Sequence, residues 1–132
     1  MASSKDWHSD TKQVRAGLAR TENRETSEAL FLNSGYVYDS AEQAAAAFKG
    51  EADNFIYSRY GNPTLQMAEE RLATIEGAEA CRVCSTGMAA IFASMACQLE
   101  AGDRVVASQA LFGACHAILT KILPRWGIQT EL

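Results

Sequence analysis

After residue 79 the sequence alternates short apolar runs with helical stretches, across joints of only a few residues. No other feature constrains the fold so tightly. The apolar runs are 80–84 (ACRVC) and 105–107 (VVA), and 128–132 (IQTEL) begins a third such run with Ile128. Between them, Met88, Ile91, Phe92, Met95 and Leu99 recur at helical spacing, and Ile118, Leu119, Ile122 and Leu123 mark a second helix over about 113–124. Ser85-Thr86-Gly87 turns into the first of these helices, Gly102-Asp103 makes a turn before the second run, and Pro124 with Gly127 closes the second helix. Strand–helix–strand–helix–strand with short joints predicts an α/β architecture around a parallel sheet. All three runs are expected as strands, those at 80–84 and 105–107 as buried ones.

The first half reads differently. Residues 1–26 are polar, with a short helix expected near 11–18, and 27–38 (SEALFLNSGYVY) lacks a helical period and reads as extended. Ser40 with Gln43 forms a capping-box pair that opens an Ala-rich helix, which Gly50 closes. Residues 51–62 form a loop in which three aromatics and an arginine fall between Phe55 and Tyr60. Asn62-Pro63 starts a helix with proline at its favoured first position, Leu65, Ala68, Leu72 and Ile75 mark one face, and Gly77 ends it. The expected organisation is an arm or oligomerisation segment over 1–62, followed by a βαβαβ unit over 63–132.

Composition removes several function classes. Twelve basic and sixteen acidic side chains in 132 residues leave a net charge of -4, against the basic footprint of a nucleic-acid binder. The apolar runs fall far short of a bilayer span, and no membrane association is expected. Asp6, Asp10, Glu22 and Glu25 lie among the early basic residues, and no apolar core follows them. That argues against secretory and mitochondrial leaders and for the cytoplasm. Cys81 and Cys84 have the spacing of a redox or half-zinc motif. A second CxxC is missing, and His116 beside Cys115 completes no tetrahedral set. The four cysteines, with Cys97, read as reduced, buried thiols, and no metal site is expected.

Three short motifs could carry chemistry. Ser85-Thr86-Gly87-Met88 stands at a helix start, where unpaired N–H groups and a partial positive charge suit a phosphate; the same residues also make an ordinary capped turn. Tyr57-Ser-Arg59-Tyr-Gly-Asn-Pro-Thr64 offers a guanidinium and a phenol to a phosphate, or is a surface aromatic loop. Phe112 follows the second apolar run, near the strand ends where α/β folds bind ligands. It could stack on a planar group or simply fill a core. No P-loop and no dinucleotide fingerprint is present.

Taken together, and in this order, Y-S-R-x-G-N-P-T, S-T-G-M-A-A and L-F-G resemble the pyridoxal-phosphate (PLP) enzymes of cysteine and methionine metabolism. The likeness runs from about residue 11 to the end. Val14-Arg-Ala-Gly17 and Ser27-Glu-Ala-Leu-Phe-Leu32 are most similar to the O-succinylhomoserine sulfhydrylase branch. The resemblance implies the first part of a fold type I PLP-transferase large domain, incomplete, behind an extended arm. It implies that the backbone of Gly87 and Met88 binds the cofactor phosphate and that Phe112 stacks on the pyridine ring. Tyr57 and Arg59 are implied to reach the neighbouring subunit's PLP phosphate, in a homotetramer built as a dimer of dimers.

Where many members, lyases especially, carry tyrosine, this chain has Phe112. The methionine lyases' cysteine two positions on is Ala114 here. Both departures lean toward a sulfhydrylase, which replaces the γ-substituent of O-succinylhomoserine by sulfide and gives homocysteine for methionine biosynthesis. A cystathionine γ-synthase or a γ- or β-lyase is the alternative within the family. The family's Schiff-base lysine stands in a Ser-x-Thr-Lys context, and Lys5, Lys12, Lys49 and Lys121 do not. No catalytic residue is therefore assigned in this chain. It is expected to be an inactive amino-terminal part of the enzyme, unable to attach PLP covalently; a non-catalytic interaction module is the reading from another class. Its end at Leu132, inside an apparent strand, with sheet edges open, fits the same expectation.

Overall fold

The computed structural model describes residues 6–132, in two compact units. The first ends at Val83 and the second is Cys84–Leu132.

The first unit holds helices α1 (Ser9–Arg15), α2 (Ala41–Lys49) and α3 (Pro63–Glu76). Their ends follow the capping residues. The Ser40 hydroxyl accepts from the Gln43 N–H at 3.1 Å, Gln43 Oε1 accepts from the Asp39 N–H at 2.7 Å, and Gly50 leaves α2 at φ 73°. Asn62 caps α3, Pro63 opens it, and Gly77 closes it at φ 66°. The expected helix near 11–18 forms slightly earlier, because His8 caps it and Gly17 turns the chain at φ 71°.

The extended segment 16–35 is docked largely through its backbone. Ala16 is buried, Arg71 Nε donates to the Ala16 carbonyl at 2.9 Å, and the Arg71 guanidinium pairs with Glu28. A Cβ at Gly17 would stand 2.4 Å from the Met67 carbonyl oxygen, so α3 and the arm touch backbone to backbone. Further on, Thr64 Oγ1 accepts from the Phe31 N–H at 2.9 Å and donates to the Ala29 carbonyl at 3.1 Å. The Ser58 N–H donates to the Ser34 carbonyl at 2.9 Å, and Gly35 and Tyr57 form an antiparallel bridge.

The second unit opens with α4 (Gly87–Ala96), capped by Thr86. Strands β1 (Arg104–Val106) and β2 (Gln129–Glu131) pair in parallel, with Val105 opposite Thr130. A helical stretch, 113–126, joins them in three geometries: α5 (Gly113–Ala117), a π turn (Ile118–Ile122) and a 3-10 turn (Leu123–Trp126). Proline explains the change. In a regular helix the Pro124 ring would meet the carbonyl of residue 120 and could donate no hydrogen bond. The Leu123 N–H instead bonds the Ile118 carbonyl one residue further back. Ile118, Leu119, Leu123 and Ile128 form the buried core, with Met88, Phe92 and Met95 of α4, and Leu99 just past its end, against it. Each fully buried side chain of this size contributes roughly 1.5–3 kcal/mol. Phe92 meets Trp126 edge-on at 5.6 Å between centroids.

Three expectations need correction. Residues 80–84 form no strand; Val83 and Cys84 are exposed. The Val83 N–H is taken by Glu69 Oε1 at 3.0 Å, and among the described residues no strand is paired with this run. An apolar run becomes a strand only when a neighbour completes its hydrogen bonds. Secondly, β1 is not buried, since Val106 is 66% exposed. Thirdly, of the four free cysteines only Cys115 is buried; Cys81 is half-buried and Cys84 and Cys97 are exposed.

Two measurements check the docking of the arm. Gly17→Ala forces a Cβ into the Met67 carbonyl at a positive φ, and is expected to cost at least about 2 kcal/mol in urea unfolding. Glu28 has its carboxyl held below the usual range, chiefly by the Arg71 hydrogen bond. A lowered folded pKa stabilises above the unfolded pKa and is lost as pH falls through the folded value. Unfolding midpoints should therefore drop on acidification below about pH 4.5, and Glu28→Gln should flatten that dependence.

Candidate phosphate and ring site

Two sets of residues are relevant, one in each unit. In the second unit, Thr86 Oγ1 accepts from the Ala89 N–H at 3.1 Å, and the Thr86 carbonyl accepts from the Ala90 N–H at 3.0 Å. Gly87 and Met88 keep N–H groups without a partner among the described residues. No acidic side chain stands in the first turn of α4 to offset its positive end. Gly87 is exposed, and a Cβ there would face open space, so no neighbouring protein atom accounts for the glycine. Two free amides and the exposed Ser85 hydroxyl form a donor set that suits a phosphate dianion. The capped-turn reading and the cradle reading coincide, because Thr86 satisfies one amide and leaves the two before it available.

Phe112 lies past the carboxyl end of β1, at the start of α5, and is 73% exposed. It is not a core residue. An open ring beyond the C-terminal end of a parallel strand can stack on a planar ligand.

In the first unit, the Tyr60 and Gly61 N–H groups both donate to the Tyr57 carbonyl, at 2.8 and 3.1 Å, closing a tight turn. The turn sets the Arg59 guanidinium 5.3 Å from the centroids of both Tyr57 and Tyr60. Arg59 makes no ion pair among the described residues. A cation held between two rings and left without a carboxylate is available to an anion. Beside it runs a groove of about 370 Å³, which Arg59 shares with Asn62, Leu65 and Arg82. Arg82 is engaged with Glu69 at 2.7 Å.

Sequence reasoning missed the residues beneath this turn. Ser58 and Asn62 bond one another and the extended segment. The Asn-Pro pair disclosed the helix cap but not these contacts, whose partners lie about thirty residues away. Among the described residues no three metal-binding side chains cluster, and no helix is long and apolar enough to cross a membrane.

Comparison with known proteins shows the family and the fold. Residues 10–132 match the family model described as Cys/Met metabolism PLP-dependent enzyme. An O-succinylhomoserine sulfhydrylase of Mycobacterium tuberculosis is 53% identical over 91% of the chain, and one of Pseudomonas aeruginosa is 44% identical over 92%. An L-methionine gamma-lyase of Porphyromonas gingivalis is 41% identical over 78%. The chain spans only about 30% of the length of the two sulfhydrylases. Among solved structures, a Campylobacter jejuni protein described as an O-acetylhomoserine (thiol)-lyase superposes with a TM-score of 0.88 at 28% identity, covering 96% of this chain and 31% of the other. That structure carries a pyridoxyl-lysine phosphate. A cystathionine gamma-lyase of Lactobacillus plantarum gives 0.80 at 22% identity over 95% of this chain and 30% of its own, a likeness of fold.

The cap at α4 has its own test. Thr86→Ala should lower stability by about 1 kcal/mol in urea unfolding, while Thr86→Ser stays close to the parent.

Proposed function

This chain belongs to the PLP-dependent enzyme family of cysteine and methionine metabolism, and from that premise we propose that its protein is an O-succinylhomoserine sulfhydrylase. It exchanges the succinyl ester group of the substrate for sulfide and yields homocysteine. The observation that carries the reading is the donor set at Gly87 and Met88, with the open Phe112 ring in the same unit. The identity to two sulfhydrylases points to the substrate.

In this reading the amides of Gly87 and Met88 hold the cofactor phosphate, helped by the Ser85 hydroxyl and the positive end of α4. Phe112 covers one face of the pyridine ring. It packs there without a hydroxyl, so it moves no proton and makes no hydrogen bond to the substrate amine. Tyr57 and Arg59 serve the phosphate of a neighbouring subunit, the guanidinium preset by its two flanking rings. PLP, when bound, supplies the electron sink that makes the substrate's α- and β-protons removable. The protein works in the cytoplasm as a dimer of dimers. For the 132 residues taken alone, the reading is weak binding without covalent attachment, since no lysine stands in the Ser-x-Thr-Lys context.

A second reading, a lyase or a cystathionine γ-synthase, draws on the 41% identity to a methionine gamma-lyase. The purified protein should form homocysteine from O-succinylhomoserine and sulfide faster than it converts cystathionine or methionine, or uses cysteine as nucleophile. No homocysteine from the first pair would sink the sulfhydrylase reading. After free PLP is removed, borohydride treatment of the 132-residue chain should leave no stoichiometric pyridoxyl group on Lys5, Lys12, Lys49 or Lys121 by mass spectrometry.

A further inference from the structure

Within Tyr57-Ser58-Arg59-Tyr60 the serine points the other way from its neighbours. Tyr57, Arg59 and Tyr60 are exposed, and Ser58 is half-buried. Its hydroxyl donates to the Asn33 carbonyl at 2.5 Å and accepts from Asn62 Nδ2 at 3.0 Å. Tyr36 Oη lies 3.4 Å away. A serine hydroxyl has one proton and two acceptor positions. With its proton committed to Asn33, Ser58 can only accept in that third contact, and the single Tyr36 phenol proton is shared between Ser58 and the Gly61 carbonyl at 3.5 Å.

Asn62 is equally committed. It is 5% exposed, and its amide donates to the Phe31 carbonyl at 2.9 Å as well as to Ser58, while Oδ1 accepts from the Thr64 N–H at 2.9 Å. One buried amide thus starts α3, holds the extended segment and grips the turn from below. The Ser58 N–H, bonded to the Ser34 carbonyl, fixes the same residue through its backbone.

We propose that Ser58 and Asn62 are positioning residues for phosphate recognition, fixing the backbone that presents Tyr57 and Arg59. This rests on the assignment of Tyr57 and Arg59 to a cofactor phosphate. A long guanidinium gains little from an anion if its backbone must be ordered at the moment of binding. Here the backbone is ordered beforehand by buried hydrogen bonds, and the flanking rings restrict the side chain.

The test compares PLP with pyridoxal, which lacks the phosphate, by fluorescence titration of the purified apoprotein and its variants. Ser58→Ala is expected to weaken PLP about three- to ten-fold, the worth of one or two hydrogen bonds, and to leave pyridoxal unchanged. Ser58→Thr keeps the hydroxyl and should restore the PLP affinity. Asn62→Asp keeps the cap acceptor for Thr64 but not the donor to Ser58, and should give the same phosphate-selective loss. Unchanged PLP binding in Ser58→Ala, or equal loss of both ligands, overturns the proposal. Arg59→Ala separates the two levels. If it too binds PLP normally, the phosphate assignment of Arg59 has failed; if it binds PLP poorly while Ser58→Ala does not, only the positioning role has.

Discussion

Every helix begins with N–H groups that no carbonyl of its own turns can reach, and how these groups are satisfied organises both units of this chain. At α3 the answer is a buried side chain. Asn62 accepts from Thr64 and spends its remaining donors on Phe31 and Ser58, so that capping a helix also docks the arm and anchors the aromatic turn. At α4 the answer is partial. Thr86 takes the Ala89 amide and leaves the N–H groups of Gly87 and Met88 without a partner among the described residues. The first start is closed and structural; the second is open, and an open helix start is where an anion gains most.

The arm is held largely by main-chain groups. Gly17 against the Met67 carbonyl, the Ala16 carbonyl on Arg71, and Ala29 and Phe31 on Thr64 all involve backbone atoms of the extended segment. Two of its leucines face outward, Leu30 at 71% exposed and Leu32 at 93%, while Leu18 and Phe31 are half-buried. Docking through the backbone depends on a few small or polar residues at set positions, and an apolar pattern does not reveal it.

Much of the local structure was legible in the sequence. Ser40, Gly50, Asn62-Pro63, Gly77 and Thr86-Gly87 act within one turn of themselves, and the helix ends fall where they predict. The open amides of Gly87 and Met88 follow from the same local logic. The run at 80–84 was misread because strand formation is a property of a pair. Its composition suits a ladder, yet Glu69, thirteen and fourteen residues back, holds the Arg82 side chain and the Val83 N–H instead. The single helix expected near 113–124 became three geometries because Pro124 acts on the turn before it.

The sequence by itself determined where helices start and stop, which stripes are apolar, and which residue types could meet a phosphate. Caps, proline and left-handed glycines act over one to four residues, and that range is written in the chain order. Only the tertiary structure decided that Ser58 faces inward while Tyr57 and Arg59 face outward, that Phe112 is open and not core, and that Asn62 ties together segments about thirty residues apart. Those outcomes depend on which buried polar group finds which partner, and a buried amide or hydroxyl is costly until it is paired. Satisfying them all at once is a condition on the folded whole.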